Sequence, residues 1–353
     1  MAATIKYKVD PAHPDEAALR EAARILGSGG LVVIPTETVY GIAASMAHKK
    51  ALERLYEIKQ RPKDKPFSLH IGYKERIEEF SRMLPVAAYK LMHAFWPGPL
   101  TLVVRAKEQG TIAVRMPDHE VCRRVIELAG VPVVCPSSNI SGRPAPVDCA
   151  QALADLDGLV DCALDAGQTL LKKESTIVDL SQEPWKMLRE GALPERDIAS
   201  VADSKMLLFV CTGNSCRSVM AERMMRKMLE EKGRRDVETL SAGTMSMNGM
   251  EASAPTQAVL RSEGADASDH RSQAVTREML TRADMIVVME KKHEGHILTM
   301  APQVKNRLFL LKEFAKINDD SLDLADPIGR DFEFYQSTFA VIKEALRKIT
   351  EIV

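Results

Sequence analysis

The sequence predicts two α/β domains in succession, a mixed sheet with helices and then a doubly wound parallel sheet. Three observations carry this. The chain has 353 residues, room for two domains of ordinary size. Short apolar runs alternate with amphipathic stretches along its whole length. That alternation is irregular before residue 195, regular after 206, and interrupted between them by a polar stretch without strong periodicity.

Taken in order, residues 15–26 have helical periodicity, with Gly27 as the stop. GGLVVIPTETVYG reads as a buried strand running into a polar loop, and 49–59 as a helix that ends before Arg61-Pro62. PFSLHIG is a strand, and two helices cover 74–95. TLVVRA and TIAVRMP are strands, 119–129 is a helix, and VPVVCPSSN is a strand followed by a loop. STIVDL and KMLREG form a late strand pair. Without a strict βαβ rhythm, a mixed sheet fits better than a parallel one. The first domain is expected over 1–195 and a linker over 196–205. From 206 to 353 the rhythm is strand MLLFV, helix SVMAERMMRKMLEEKG, strand VETLSAG, helix TQAVLRSEG, strands MIVVME and RLFLLK, and a helix over 335–352. Such alternation gives a doubly wound parallel sheet. Met220, Met224, Met225 and Met228 have the spacing of core filler on a helix.

Composition excludes several classes. Apolar residues make up 45% and charged residues 27%, so the chain is not disordered. No apolar run reaches the length of a membrane helix, and MAATIKYKVD lacks a signal core. A cytoplasmic location, with no membrane partner, is the expectation. Residues 1–204 carry 26 Lys and Arg against 27 Asp and Glu, and residues 205–353 carry 22 against 22. Neither half is polycationic, so long DNA is not an expected partner. The six cysteines form no CxxC pair, which argues against structural zinc.

In the first half, Lys59, Arg61, Lys63 and Lys65 alternate through KQRPKDKP. If the prolines keep this segment extended, the four cations share one side and form a clamp for a triphosphate. Taken alone, the segment reads better as a solvated surface loop, and it is the other stretches of the first half that favour the clamp. PTETVYG places Thr36, Thr38 and Tyr40 just past a strand end. Arg115 sits inside an apolar strand and needs a partner, which a ligand carboxylate or a structural Asp would supply. CPSSNISGRPAP offers Ser137, Ser138, Asn139 and Ser141, and ESTIVD offers Ser175 and Thr176.

Together PTETVYG, KQRPKDKPFSLHI, FWPGPLTLV, TIAVRMP, CPSSNISGRPAP and ESTIVDL, spread over about residues 5–195, resemble the YrdC-like threonylcarbamoyl-AMP synthases. The resemblance implies a twisted sheet with a positive concave face. It implies condensation of L-threonine, bicarbonate and ATP to threonylcarbamoyl-AMP and pyrophosphate, with Mg²⁺ on the triphosphate. The product would pass to the tRNA threonylcarbamoyl-transferase machinery, for threonylcarbamoyladenosine at position 37. By the same resemblance Thr38, His70, Arg115, Ser175 and the main chain at Cys135 contact threonine. Lys59, Arg61, Lys65, Thr111, Ser137, Ala145 and Arg189 surround ATP, with Lys63 adding charge near the phosphates. Lys65 stands where a small polar residue is usual, and Ala145 offers only its backbone. The competing reading is a nucleotide- or RNA-binding module without catalysis, which the near-complete motif set disfavours.

In the second half MLLFVCTGNSCRSVMAE joins a strand end to a helix start through Cys211-x5-Arg217. Five residues let the loop Thr212, Gly213, Asn214, Ser215, Cys216 curl so that its N–H groups face a phosphate. Arg217 then closes the ring, and the helix N-terminus adds positive potential that favours the Cys211 thiolate. Ser218 is placed to hydrogen-bond that thiolate, and Asp326 in ADPIGRD is the candidate proton donor. With SAGT at 241–244, residues 206–353 resemble the low-molecular-weight protein phosphatases. The resemblance implies a phosphocysteine at Cys211, acid–base work by Asp326, a phosphoprotein substrate, and a protective Cys211–Cys216 disulfide under oxidation. Tyrosine-directed members have a bulky aliphatic residue at the position of Ser215, and arginine-directed members a small hydroxyl residue, usually threonine. Ser215 leans toward the second group.

Overall fold

The computed structural model describes residues 3–245, 248–315 and 321–353. The chain divides into two compact units, Met1–Ala202 and Asp203–Val353.

In the first unit the strands are β1 (Ile5–Lys8), β2 (Val32–Ile34), β3 (Gly41–Ser45), β4 (Leu69–His70), β5 (Leu100–Arg105), β6 (Thr111–Arg115), β7 (Val133–Val134), β8 (Cys162–Asp165), β9 (Thr176–Asp179) and β10 (Lys186–Arg189). The helices are α1 (Glu16–Gly27), α2 (Lys49–Lys59), α3 (Ile77–Phe80), α4 (Val86–Phe95), α5 (Glu120–Ala129), α6 (Cys149–Leu156) and α7 (Glu195–Ala202). Among the described residues these strands form one mixed sheet in the order β1-β8-β2-β3-β7-β4-β6-β5-β9-β10. The pairs β2–β8, β4–β6 and β5–β9 run parallel, and β2–β3, β3–β7 and β5–β6 antiparallel.

Helix α1 starts where the Asp15 carboxylate accepts the Ala17 N–H at 2.9 Å. Its Ala18, Leu19, Ala22 and Leu26 are buried at helical spacing. The period-2 alternation of β2 explains why LVVI is apolar throughout. Val32 and Ile34 pack with residues of α1 and α5, whereas Leu31 and Val33 pack with α2 and α6. A strand covered on both faces has no solvent side to vary.

The segment expected to be a linker over 196–205 is instead occupied by structure. Helix α7 buries Ile198 and Ala202 in the core that contains α4, β5 and β9. One isoleucine and one alanine buried in eight residues are too sparse to register as periodicity. The next strand already begins at Lys205.

In the second unit the elements are β11 (Lys205–Cys211), α8 (Arg217–Glu231), β12 (Val237–Gly243), α9 (Ala254–Ser262), α10 (Arg277–Arg282), β13 (Met285–Val288), α11 (Lys291–Met300), β14 (Leu308–Leu310) and α12 (Phe332–Ile352). The sheet order is β12-β11-β13-β14, with every pair parallel. Leu207 and Phe209 of β11 pack with α8 and α12, and Leu208 and Val210 with α10 and α11. The sheet is therefore covered on both faces, as doubly wound folds require. Met220, Met224 and Met225 lie in the first of these cores. No helix among the described residues is long and apolar enough to cross a membrane.

Candidate active sites

A cavity of about 190 Å³ opens in the first unit, where the ends of β4 and β6 meet the loops after β2, α2 and β7. Its walls include Lys59, Arg61, His70, Arg115, Cys135, Ser137, Ser175 and Arg189. These are eight of the predicted ligand positions, drawn from six separate segments.

Arg115 ends β6 beside His70 of β4. It is 4% exposed. Its Nε–H donates to the Gly98 carbonyl at 3.2 Å, and Nη2 donates to Glu37 at 2.6 Å and to the Thr38 hydroxyl at 2.9 Å. The partner that a buried cation demands is thus Glu37, which sequence reasoning passed over. With Nε and Nη2 anchored, Nη1 is the edge left to meet a ligand carboxylate. Thr38 serves the site from behind, because its hydroxyl holds Arg115 and Thr36 rather than lining the cavity. Burial pushes the His70 imidazole down to about 3, with Arg115 adding to it, so the ring is neutral. Its Nδ1 lies 3.4 Å from the Ser68 carbonyl, which places the hydrogen there and leaves Nε2 as an acceptor.

Lys59 departs from expectation. It is the last residue of α2 and 3% exposed, not one of four cations along an extended strand. Its ammonium donates to the carbonyls of Ser137 and Asn139 at 2.6 Å and to Asn139 Oδ1 at 3.0 Å. Burial pushes it down to about 8, with Arg61 contributing. Lys59 therefore shapes the Ser137–Asn139 loop. The helix end and the left-handed Gln60 (φ 48°) destroy the alternation. Arg61 curls the chain further, donating to the carbonyls of Lys65 at 2.9 Å and Pro66 at 3.1 Å. Lys63 and Lys65 are exposed and do not line the cavity. Nor do Ala145 or Thr111, which stands at the opposite end of β6 from Arg115.

Arg189 binds the Ser175 carbonyl at 3.0 Å and the Glu174 carboxylate at 3.0 Å. Gly191 permits this close approach, since a Cβ there would lie 2.3 Å from the Glu174 carbonyl oxygen.

In the second unit Cys211 closes β11 and Arg217 opens α8, so the intervening residues form the loop that the sequence required. Its carbonyls are drawn outward. Those of Cys211, Thr212, Asn214 and Ser215 accept from Thr244 N, Met245 N, His270 Nε2 and Ser253 N at 2.8–3.0 Å. In a trans peptide the following N–H points the opposite way, so four amides turn into the ring. Asn214 holds a left-handed conformation (φ 51°) and is fully buried. Its Nδ2 donates to Ser218 Oγ at 3.0 Å, which directs the Ser218 hydrogen to Cys211 Sγ, 2.9 Å away.

Arg217, 1% exposed, binds Glu290 at 2.6 Å and the Leu324 carbonyl at 2.7 Å through Nη1, and Asp326 through Nη2. Its Nε is buried without a partner. Nε and the second Nη2 hydrogen are the donors left to grip an anion. Glu290 was also missed by sequence reasoning. Burial alone would raise its carboxyl, but bonds from Lys292 and Arg217 outweigh that and hold it below the usual value. Cys211 and Cys216 are both free thiols. Cys216 lies 3.4 Å from Ser253 Oγ and 3.5 Å from the Tyr335 hydroxyl.

Residues 24–191 match the Sua5, YciO and YrdC family model, described as telomere recombination, and residues 206–353 match that of low molecular weight phosphotyrosine protein phosphatases. A threonylcarbamoyl-AMP synthase of Pyrococcus abyssi is 40% identical over 53% of this chain and 58% of its own, so the chain spans little more than half of that relative. A putative threonylcarbamoyl-AMP synthase of Mycobacterium leprae is 38% identical over 54% of this chain and 92% of its own. A protein-arginine-phosphatase of Geobacillus stearothermophilus is 35% identical over 41% of this chain and 93% of its own. Among solved structures, P. abyssi Sua5 complexed with L-threonine superposes with a TM-score of 0.54 at 25% identity, covering 98% of both chains.

The phosphate loop rests directly on Gly243, where a Cβ would lie 2.7 Å from the Thr212 carbonyl oxygen and 3.1 Å from Asn214 N. Backbone atoms cannot step aside. Gly243→Ala is therefore expected to lower kcat/KM for aryl phosphate hydrolysis at least tenfold. Gly295→Ala, in a helical position with open space around it, is expected to leave it unchanged.

Proposed function

Because the chain belongs to the Sua5, YciO and YrdC family in its first unit and to the low molecular weight phosphotyrosine protein phosphatases in its second, we propose that it carries two enzymes. The first condenses L-threonine, bicarbonate and ATP to threonylcarbamoyl-AMP and pyrophosphate, for use by a tRNA threonylcarbamoyl-transferase system. The second is a cysteine-dependent protein phosphatase.

The observation that carries the first reading is a cavity combining Lys59, Arg61, Arg115 and Arg189 with a neutral imidazole. The free Nη1 edge of Arg115 suits the threonine carboxylate. His70 Nε2 suits a donor on threonine, its amino or hydroxyl group. The threonine amine attacks the bicarbonate carbon and water leaves, giving a carbamate; a carbamate oxygen then attacks the α-phosphorus, and the bond from that phosphorus to the oxygen bridging to the β-phosphate breaks. Pyrophosphate leaves with the electron pair. The protein needs no nucleophile, only alignment and positive charge on the departing phosphates from Arg61 and Arg189. Mg²⁺ would arrive with the nucleotide. The cavity's own carboxylate, Glu174, is engaged by Arg189, and no cluster of three or more His, Cys, Asp or Glu among the described residues suits a metal ion.

In the second reading the Cys211 sulfur attacks phosphorus while Asp326 protonates the leaving nitrogen or oxygen. Water, activated by Asp326, then hydrolyses the phosphocysteine. Arg217 and the loop amides stabilise the equatorial oxygens. Likeness to a protein-arginine-phosphatase and the small hydroxyl of Ser215, partly exposed on the loop, favour phosphoarginine. A serine leaves space for a guanidinium and accepts its N–H bond.

Full-length protein given ATP, threonine and bicarbonate should release pyrophosphate. Arg61→Ala should weaken ATP use roughly ten- to a hundredfold, through loss of a charge-assisted bond. Unchanged release would remove Arg61 from the site. For the phosphatase, kcat/KM should be higher for phosphoarginine than for phosphotyrosine, and Ser215→Ile should reverse the order by adding an apolar wall for an aryl ring. A wild type that prefers phosphotyrosine, unaffected by the substitution, would return the domain to the tyrosine-directed branch.

A further inference from the structure

Two residues at the start of α11 hold opposite ends of the phosphate loop. Glu290, just before the helix, binds Arg217 at the loop's far end. One turn on, His293 Nε2 lies 2.9 Å from the hydroxyl oxygen of Thr212, the first residue after Cys211. The bond to Glu290 meets the demand of a buried charge. The histidine meets no such demand.

His293 is 1% exposed, and its Nδ1 is buried without a partner. Burial pushes the imidazole down to about 4, against the pull of Glu290, so the ring is neutral and carries one hydrogen. On Nδ1 that hydrogen would be a buried donor with no acceptor. It belongs on Nε2, and Nε2–H donates to Thr212 Oγ1. A leucine would fill the space without leaving a ring nitrogen unsatisfied. What the imidazole adds over an aliphatic side chain is this one bond.

Thr212 is a place where one bond matters. Its Cα joins two of the peptides whose N–H groups face the ring, its own and that of Gly213. Gly213 has no side chain, and its carbonyl accepts from no donor among the described residues. Asn214, beyond it, is tied separately by Ser218, His270 and Gln273. The leading half of the loop is thus held at Thr212, by Met245 N on its carbonyl and by His293 on its side chain.

We infer that His293 is a positioning residue for phosphoryl transfer: through Thr212 it fixes the direction of the two leading amides of the loop. This rests on the phosphatase reading of the second unit.

The test uses the full chain with p-nitrophenyl phosphate as substrate and with vanadate and phosphate as inhibitors. Vanadate takes up a five-coordinate form on a thiolate and reports transition-state alignment, whereas phosphate reports ground-state affinity. Thr212→Val and His293→Leu remove the two halves of the bond without adding bulk. Each should lower kcat about tenfold with KM little changed, and weaken vanadate inhibition more than phosphate inhibition. The double variant should lose no more than the worse single one. His293→Gln, whose amide nitrogen can take the place of Nε2, should recover most of the loss. Full activity in Thr212→Val, equal losses in His293→Gln and His293→Leu, or multiplied losses in the double variant would overturn the inference. Should circular dichroism show His293→Leu unfolded, Thr212→Val and His293→Gln carry the same comparison. A wild type inert toward p-nitrophenyl phosphate would instead remove the phosphatase reading beneath it.

Discussion

Arg115 and Arg217 are almost wholly buried, at 4% and 1% exposure, and each stands at the centre of a candidate site. A guanidinium taken out of water is tolerated only with a carboxylate and further acceptors around it. Glu37, Thr38 and the Gly98 carbonyl meet that demand for Arg115. Glu290, Asp326 and the Leu324 carbonyl meet it for Arg217. In both cases the anchors take one part of the planar group and leave another free. The free part is then fixed in direction without any cost of ordering when an anion arrives.

The remaining parts of each site follow from placing these cations. His70 stays neutral because it is buried beside Arg115, and so offers a lone pair rather than a further positive charge. Lys59 is spent on holding the Ser137–Asn139 loop, so its charge acts through the shape it imposes as much as through its field. In the second unit, the loop between Cys211 and Arg217 turns its amides inward because its carbonyls are claimed from outside. Glycines allow the backbone to come near enough: Gly243 under the phosphate loop, and Gly191 behind Glu174 and Ser175.

Much of this was legible in the sequence. The strand runs, the change of rhythm after 206, and the strand–loop–helix around Cys211 are local patterns, and local patterns survive folding. The cavity residues from PTETVYG to ESTIVDL were legible only as an ordered set of motifs. What escaped was long-range. Glu37 lies 78 residues from Arg115, and Glu290 lies 73 from Arg217, so nothing in their neighbourhoods announces the pairing. The alternation of Lys59, Arg61, Lys63 and Lys65 misled because it assumed an extended segment, whereas α2 runs through Lys59 and Arg61 folds the chain back on itself. Helix α7 was mistaken for a linker because its contribution to the core is essentially Ile198 and Ala202.

The claim that buried guanidiniums organise the sites is tested most directly by a thermodynamic cycle on Glu37 and Arg115. Both tryptophans, Trp96 and Trp185, belong to the first unit, so their fluorescence in urea reports its unfolding within the whole chain. Glu37→Leu and Arg115→Leu should each lower stability by about 3–5 kcal/mol, because each strands the other's charge. The double variant should lose clearly less than the two losses combined. Additive losses would contradict the account, since they would mean that the two charges are stabilised independently of each other.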